Sequence, residues 1–158
     1  MPVREGVASR VLALKVYAQN VPFADGTFCA VLSIGSFEMI AEKRPHALAE
    51  TIRVARPGVR IGIAEPMCHS EPMPEDLANL DRDGGLGFGR CFRTLPWNRA
   101  LFADHGLRVT CATHFREGFQ WWVEYLAEAK ASSAAREFIL RDGGRWLSLG
   151  MVVGEKPA

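Results

Sequence analysis

Glu38 and Glu65 are the two carboxylates that the sequence puts where chemistry could happen. Each closes or follows a short apolar run, Phe28–Ile34 and Val59–Glu65, of the kind that forms a strand covered on both faces. In open α/β sheets ligands bind outside the carboxyl ends of the strands. That rule selects four clusters: Tyr17-Ala18-Gln19-Asn20, Ile34-Gly35-Ser36-Phe37-Glu38-Met39, Glu65-Pro66-Met67-Cys68 and His114-Phe115. Within them Gly35 lets backbone approach a ligand closely. The two carboxylates could bind a cation or take a proton. Equally, they could cap a helix or pair with an arginine, because acids near helix starts stabilise helices generally. Both readings stay open.

Other residues invite chemical readings that their context weakens. Gly85-Leu86-Gly87-Phe88-Gly89 has the composition of a phosphate loop, but Asp81-Arg82-Asp83 precedes it where a buried strand is required. It reads as a flexible surface loop. Trp121-Trp122 could close over a substrate or belong to the core, where aromatics at helical spacing usually sit. Cys29, Cys68, Cys91 and Cys111 form no CxxC pair and read as small apolar filler. Cys68-His69 without a second pair is a weak metal signal, so no metal site is expected.

The elements that must position these groups follow from periodicity and turn residues. Strands are expected at 11–18, 28–34, 59–65, 107–113 and 146–153. Pro45 suits the first turn of a helix running from Arg44 to Arg56, which Arg56-Pro57-Gly58 should stop. Further helices are expected near Pro74–Leu80, Pro96–His105, Phe119–Lys130 and Ala134–Arg141. Alternating strands and helices predict a parallel or mostly parallel sheet with helices on both faces.

Composition sets the outer bounds. With 158 residues, 48% apolar and 23% charged, the chain is a soluble globule of one domain, residues 1–158, and intrinsic disorder is excluded. A net charge of +1 lacks the footprint of a nucleic-acid binder. No run approaches a membrane span, and Lys15 breaks the one apolar stretch near the start, which rules out a secretory signal and makes the cytoplasm the expected compartment.

Tyr17-Ala-Gln-Asn-Val-Pro-Phe-Ala-Asp-Gly-Thr-Phe-Cys-Ala-Val31 resembles the segment that class I S-adenosylmethionine-dependent methyltransferases place between their third and fourth strands. The likeness continues through Leu32–Ile40 and through Ala47-Leu48-Ala49-Glu50, Arg53-Val54-Ala55-Arg56-Pro57-Gly58 and Val59-Arg60-Ile61. Leu149–Pro157 is similar to the family's last strand, and the branch it resembles is the one acting on small molecules. The resemblance implies a partial doubly wound, Rossmann-like α/β sheet. It implies S-adenosylmethionine as cofactor, near Tyr17, Ala18, Gln19, Ile34, Gly35, Ser36 and Phe37. It also implies a small-molecule substrate near Glu38, Met39, Glu65, Met67 and Phe115, with no residue identifiable as catalytic.

Two departures from the family pattern matter. Its members begin with a strand, a glycine-rich turn, a helix and a second strand ending in an acid. Here Met1–Arg10 resembles only the end of the helix before the third strand, so the first two strands and the glycine-rich motif are lacking. Tyr17 stands where the family has an aspartate reaching the adenine amine, and Cys29 replaces the aspartate at the start of the fourth strand. Weak or absent cofactor binding is therefore expected. A non-catalytic role as a partner subunit or a gene remnant is the competing expectation. Strand 28–34 would also lack its neighbours, predicting a homo-oligomer or a partner subunit joined through the exposed sheet edge.

Overall fold

A computed structural model describes residues 10–128 and 131–158. The expected helix end within Met1–Arg10 lies almost wholly outside them, as do the last two residues of the helix expected at 119–130. Four strands form the sheet: β1 (Phe28–Ile34), β2 (Ala55–Cys68), β3 (Arg108–His114) and β4 (Leu147–Glu155). Between them lie α1 (Arg44–Val54), α2 (Glu75–Asp83), α3 (Phe88–Cys91), α4 (Leu95–Asp104), α5 (Gly118–Glu128) and α6 (Ser133–Asp142).

The strand order is β1-β2-β4-β3. β1 runs parallel to β2, with Val31 beside Ile61. β4 is antiparallel to both its neighbours, pairing Gly150 with Glu65 and Val152 with Ala112. Three of the four strands thus share one direction, as a mostly parallel sheet requires, and the single reversed strand makes the sheet mixed. β4, inserted between β2 and β3, is the one strand of the four that runs opposite to the others.

Alternation along β2 sends its side chains to two different layers. Ile61, Ile63 and Met67 join Val152 against Ala47 and Leu48 of α1 and Leu101 and Phe102 of α4. On the other face Cys68 and Leu147 pack with Leu77, Phe92, Leu126, Phe138, Ile139 and Trp146. This second layer covers only the end of the sheet near Cys68. Toward the other end, Leu32 and Ile34 of β1 are 73% and 77% exposed, beside Ala64, Met151 and Val153.

The expected strand at 11–18 does not form. Val11, Leu12, Leu14 and Val16 are exposed, and β1 has no second neighbour among the described residues. β-branched composition alone does not make a strand without a partner to accept its hydrogen bonds. Instead, the turn after it is clamped onto α1. Arg53 donates to the carbonyls of Val21 and Phe23 at 3.2 and 2.8 Å and to Asp25, while Glu50 accepts from the Val21 amide at 2.9 Å.

α1 ends at Val54, two residues before the expected stop, because Ala55 is already extended. Arg56, held out of helical space by the following proline, continues as strand. Lys156 caps the freed carbonyls of Ile52 and Ala55 at 2.8 Å each.

The junction from α6 into β4 depends on one buried carboxylate. Asp142 accepts from the amides of Gly144, Trp146 and Leu147 at 2.9, 2.9 and 3.1 Å. Removing it strands donors that the fold hides from water. Asp142→Ala is expected to cost about 2–3 kcal/mol, and Asp142→Asn less, since the amide keeps one acceptor oxygen. Urea unfolding of the two variants checks this.

Candidate functional site

The chain leaves β1 through Gly35, whose φ of 59° favours glycine and whose amide donates to the Ala64 carbonyl at 2.8 Å. Ser36 follows on the surface with its hydroxyl 2.9 Å from that of Ser33. Phe37 turns inward and its side chain packs in the core against the α1 side of the sheet. A 3-10 stretch, Glu38–Lys43, then leads into α1, broken at Ala41 by a φ of 52° that an alanine rarely adopts. The break turns the chain so that Glu38 and Arg44 both face the interior.

These two and Glu65 form a buried charged cluster, each no more than 4% exposed. Arg44 donates to the Glu38 carbonyl at 3.2 Å, but its guanidinium stands 3.9 Å from Glu65, an ion pair too long to be a hydrogen bond. Trp97 lies beneath the same guanidinium at 5.3 Å, a cation–π contact. Glu38 Oε2, both Glu65 carboxylate oxygens and the Arg44 Nε and Nη1 have no hydrogen-bond partner. Burial, with a smaller push from the nearby Glu38 charge, raises the Glu65 carboxyl to about 8, and Arg44 opposes this only in part. Burial also raises Glu38 and lowers Arg44.

Glu38 opens on its other side to a cavity of about 560 Å³, in the range that holds small organic ligands. Gly35 and Met39 flank Glu38 on the wall, Pro66 and Leu149 supply the sheet side, and Leu86, Phe88, Cys91 and Phe92 close one flank. Trp121, Trp122 and Tyr125 of α5 complete the lining. The aromatic rings touch one another in series. Phe88 stacks on Phe92 at 4.8 Å, Phe92 meets Trp122 at 5.9 Å, and Trp122 meets Tyr125 edge-on at 6.0 Å.

The structure brings Gly35, Glu38 and Met39 to this cavity. Glu65 sits behind Glu38, and Phe115 packs on Trp121 at 5.3 Å. Met67 points into the core on the opposite face of β2 and does not reach the cavity; its neighbour Pro66 does, as strand alternation requires. Ile34 lies on the uncovered sheet face. Tyr17 is 83% exposed, and Ala18 lines a separate shallow cleft with Val21, Phe23 and Phe28. Gln19, half-buried in the same turn, is likewise absent from the cavity wall.

Sequence reasoning passed over the glycine-rich segment. It is not a free loop: both carboxylate oxygens of Asp81 accept from the Phe88 and Gly89 amides, at 2.8 and 3.1 Å, and fix α3 against the cavity. The signal was Asp81 itself, an acid seven residues ahead of a helix start. Trp121 and Trp122, for which core and substrate-facing readings were both open, stand on the wall.

Cys68 and His69 diverge. The Cys68 thiol is buried, with its pKa pushed up to about 12 by that burial, which disfavours the thiolate a metal requires. His69 instead meets His114 at 4.8 Å, and His114 Nδ1 is 2.6 Å from the Ser148 hydroxyl. Among the described residues no group of three or more His, Cys, Asp or Glu side chains is placed to hold a metal ion.

The chain, a mixed sheet in this order with a cavity at the carboxyl ends of its parallel pair, has the class I S-adenosylmethionine-dependent methyltransferase fold. Residues 4–63 match a family model described as a methyltransferase domain. Among solved structures, a geranyl diphosphate methyltransferase in complex with S-adenosylmethionine superposes with a TM-score of 0.76 at 15% identity, over 98% of this chain and 61% of the other. Geranyl diphosphate C-methyltransferase from Streptomyces coelicolor gives 0.76 at 11% identity, over 98% and 56%. The cyclase SpnF gives 0.75 at 17% identity, over 99% and 61%. The chain therefore spans 56–61% of the length of these three structures. No curated protein matches its sequence.

The described residues do not by themselves fit the whole cofactor. Beside the end of β1, Ile34 and Tyr17 stand in solvent, and a Cβ built on Gly35 would meet nothing within 4 Å. That side has a floor but no facing wall. No helix among the described residues is long and apolar enough to cross a membrane.

Proposed function

We propose that this chain provides the acceptor-binding part of an S-adenosylmethionine-dependent methyltransferase that acts on a small molecule inside the cell. The observation that supports this most is the aromatic cavity at the carboxyl ends of β1 and β2, with Glu38 on its wall. Such a cavity aligns and dehydrates an apolar acceptor, which is most of what methyl transfer asks of a protein. Cofactor contacts are assigned to the backbone around Gly35 and to the turn at Tyr17–Gln19, acceptor contacts to Glu38, Met39 and Phe115, with Glu65 behind Glu38.

On this reading the chain alone binds the cofactor weakly. A good hydrogen bond to a charged group contributes about 1.5–3 kcal/mol. Lacking the paired ribose contacts lowers affinity by roughly two to four orders of magnitude. Calorimetric titration of S-adenosylhomocysteine into the chain should give dissociation constants weaker than micromolar; micromolar or tighter binding would overturn the expectation.

A second reading, a non-catalytic partner subunit, draws on a different observation. β1 is an edge strand, and the sheet face at Leu32 and Ile34 is uncovered. In that case the open edge is where the other subunit adds its strands. Methyl transfer by the purified chain without a partner would exclude it.

A further inference from the structure

The cavity wall combines two kinds of surface that favour the same ligand charge. The ring faces of Trp121, Trp122 and Tyr125 are electron-rich and attract cations. Opposite the apolar lining stands Glu38, 4% exposed, whose Oε2 has no hydrogen-bond partner. A buried acceptor in that condition costs free energy until a donor reaches it. Its neighbours do not supply one. Arg44 spends its contact on the Glu38 carbonyl, and its nearest carboxylate is Glu65. Arg90 pairs with Glu42 outside, and Arg93 with Glu71. The one guanidinium of the cluster thus lies nearer Glu65, and the Glu38 oxygen is left for a donor that enters from the cavity.

We infer that the cavity recognises an organic ammonium ion with an apolar or aromatic body, its N–H groups donating to Glu38 and its cationic end lying against the α5 aromatic rings. A neutral alcohol of the same shape satisfies the lining and can donate one hydrogen bond to the carboxylate, but it brings no positive charge to the carboxylate or to the ring faces. The inference rests on the cavity being the acceptor site, and it deepens that reading by naming the acceptor class as an amine.

The test uses two probes of nearly equal shape, phenethylamine and 2-phenylethanol, titrated into the full chain at neutral pH. Tryptophan fluorescence and calorimetry follow binding. Phenethylamine should bind at least tenfold more tightly than the alcohol. Glu38→Gln should shrink that preference to twofold or less. Met39→Lys, at a largely exposed wall position, adds a positive charge and should weaken the amine at least tenfold more than the alcohol; it serves even where Glu38→Gln fails to fold. Equal affinity for the two probes in the unaltered chain overturns the inference, as does an amine preference that survives both substitutions, or no binding of either probe at millimolar concentration. The S-adenosylhomocysteine titration is separate. Amine discrimination without cofactor binding leaves this inference standing and the methyl-transfer reading in doubt, and the reverse result does the opposite.

Discussion

The Arg44→Met variant is expected to lose about 1–2 kcal/mol of stability at pH 9 and close to nothing at pH 5. The asymmetry comes from Glu65. Its folded pKa of about 8 lies above the ordinary value of 4.5, so between those values the folded protein holds a proton that the unfolded chain releases. Stability from this group is fully present below the unfolded pKa and is lost as pH rises through about 8, at a slope of at most about 1.4 kcal/mol per pH unit. At pH 9 Arg44 is the cation that makes the Glu65 charge tolerable inside the protein, and methionine leaves that charge with no partner. At pH 5 Glu65 is neutral and Arg44 is the group whose burial is costly. Methionine then relieves that cost and offsets the lost contacts with Trp97 and the Glu38 carbonyl. Urea unfolding at the two pH values measures the difference. Equal losses at both would mean that Arg44 acts by packing alone and that the cluster is not coupled through charge.

How far this architecture could be read in advance depended on whether the signal was local. Phe28–Ile34 is a strand with the expected boundaries because its run is apolar throughout and bounded by turn residues. Helices closed by side-chain caps fell close to expectation: Thr94 accepts from Trp97 and Ser132 from Ala135, each marking a start within a residue or two of the expected one. Val11–Ala18 had strand composition but no partner, and nothing within the segment reports on a neighbour's absence. The direction of β4 was equally hidden, since its alternation fits parallel and antiparallel pairing alike. At the site, Glu38 and Glu65 could be picked out because they end apolar strands. The carboxylate–guanidinium cluster needed Arg44, which a sequence presents only as the first residue of a helix, and the contribution of Leu86 and Phe88 needed the three-dimensional anchoring by Asp81. Met67 was placed one residue out of phase: in a strand, the residue beside the right one faces the wrong layer.

A sheet edge as apolar as β1 should not stay bare in solution, and the purified chain is expected to sediment as a dimer or larger species at micromolar concentration. Leu32 and Ile34 expose about three quarters of their surface, and their unpaired edge offers a row of backbone donors and acceptors. Two copies meeting through β1 would extend the sheet antiparallel about a two-fold axis and bring the two uncovered patches side by side. The exposed Val11, Leu12, Leu14 and Val16 lie in the same chain just before that edge and add apolar surface to cover. Fully burying a leucine or isoleucine contributes about 1.5–3 kcal/mol. Replacing both with lysine, Leu32→Lys together with Ile34→Lys, therefore weakens association by roughly two to four orders of magnitude. Both side chains are solvent-exposed in the single chain, so the substitutions leave monomer stability nearly unchanged. Sedimentation velocity of the parent and the double variant, with unfolding curves for each, separates the effects. A parent chain that remains a cooperative monomer across the concentration series would show that β1 tolerates its open edge, and the association reading would fall.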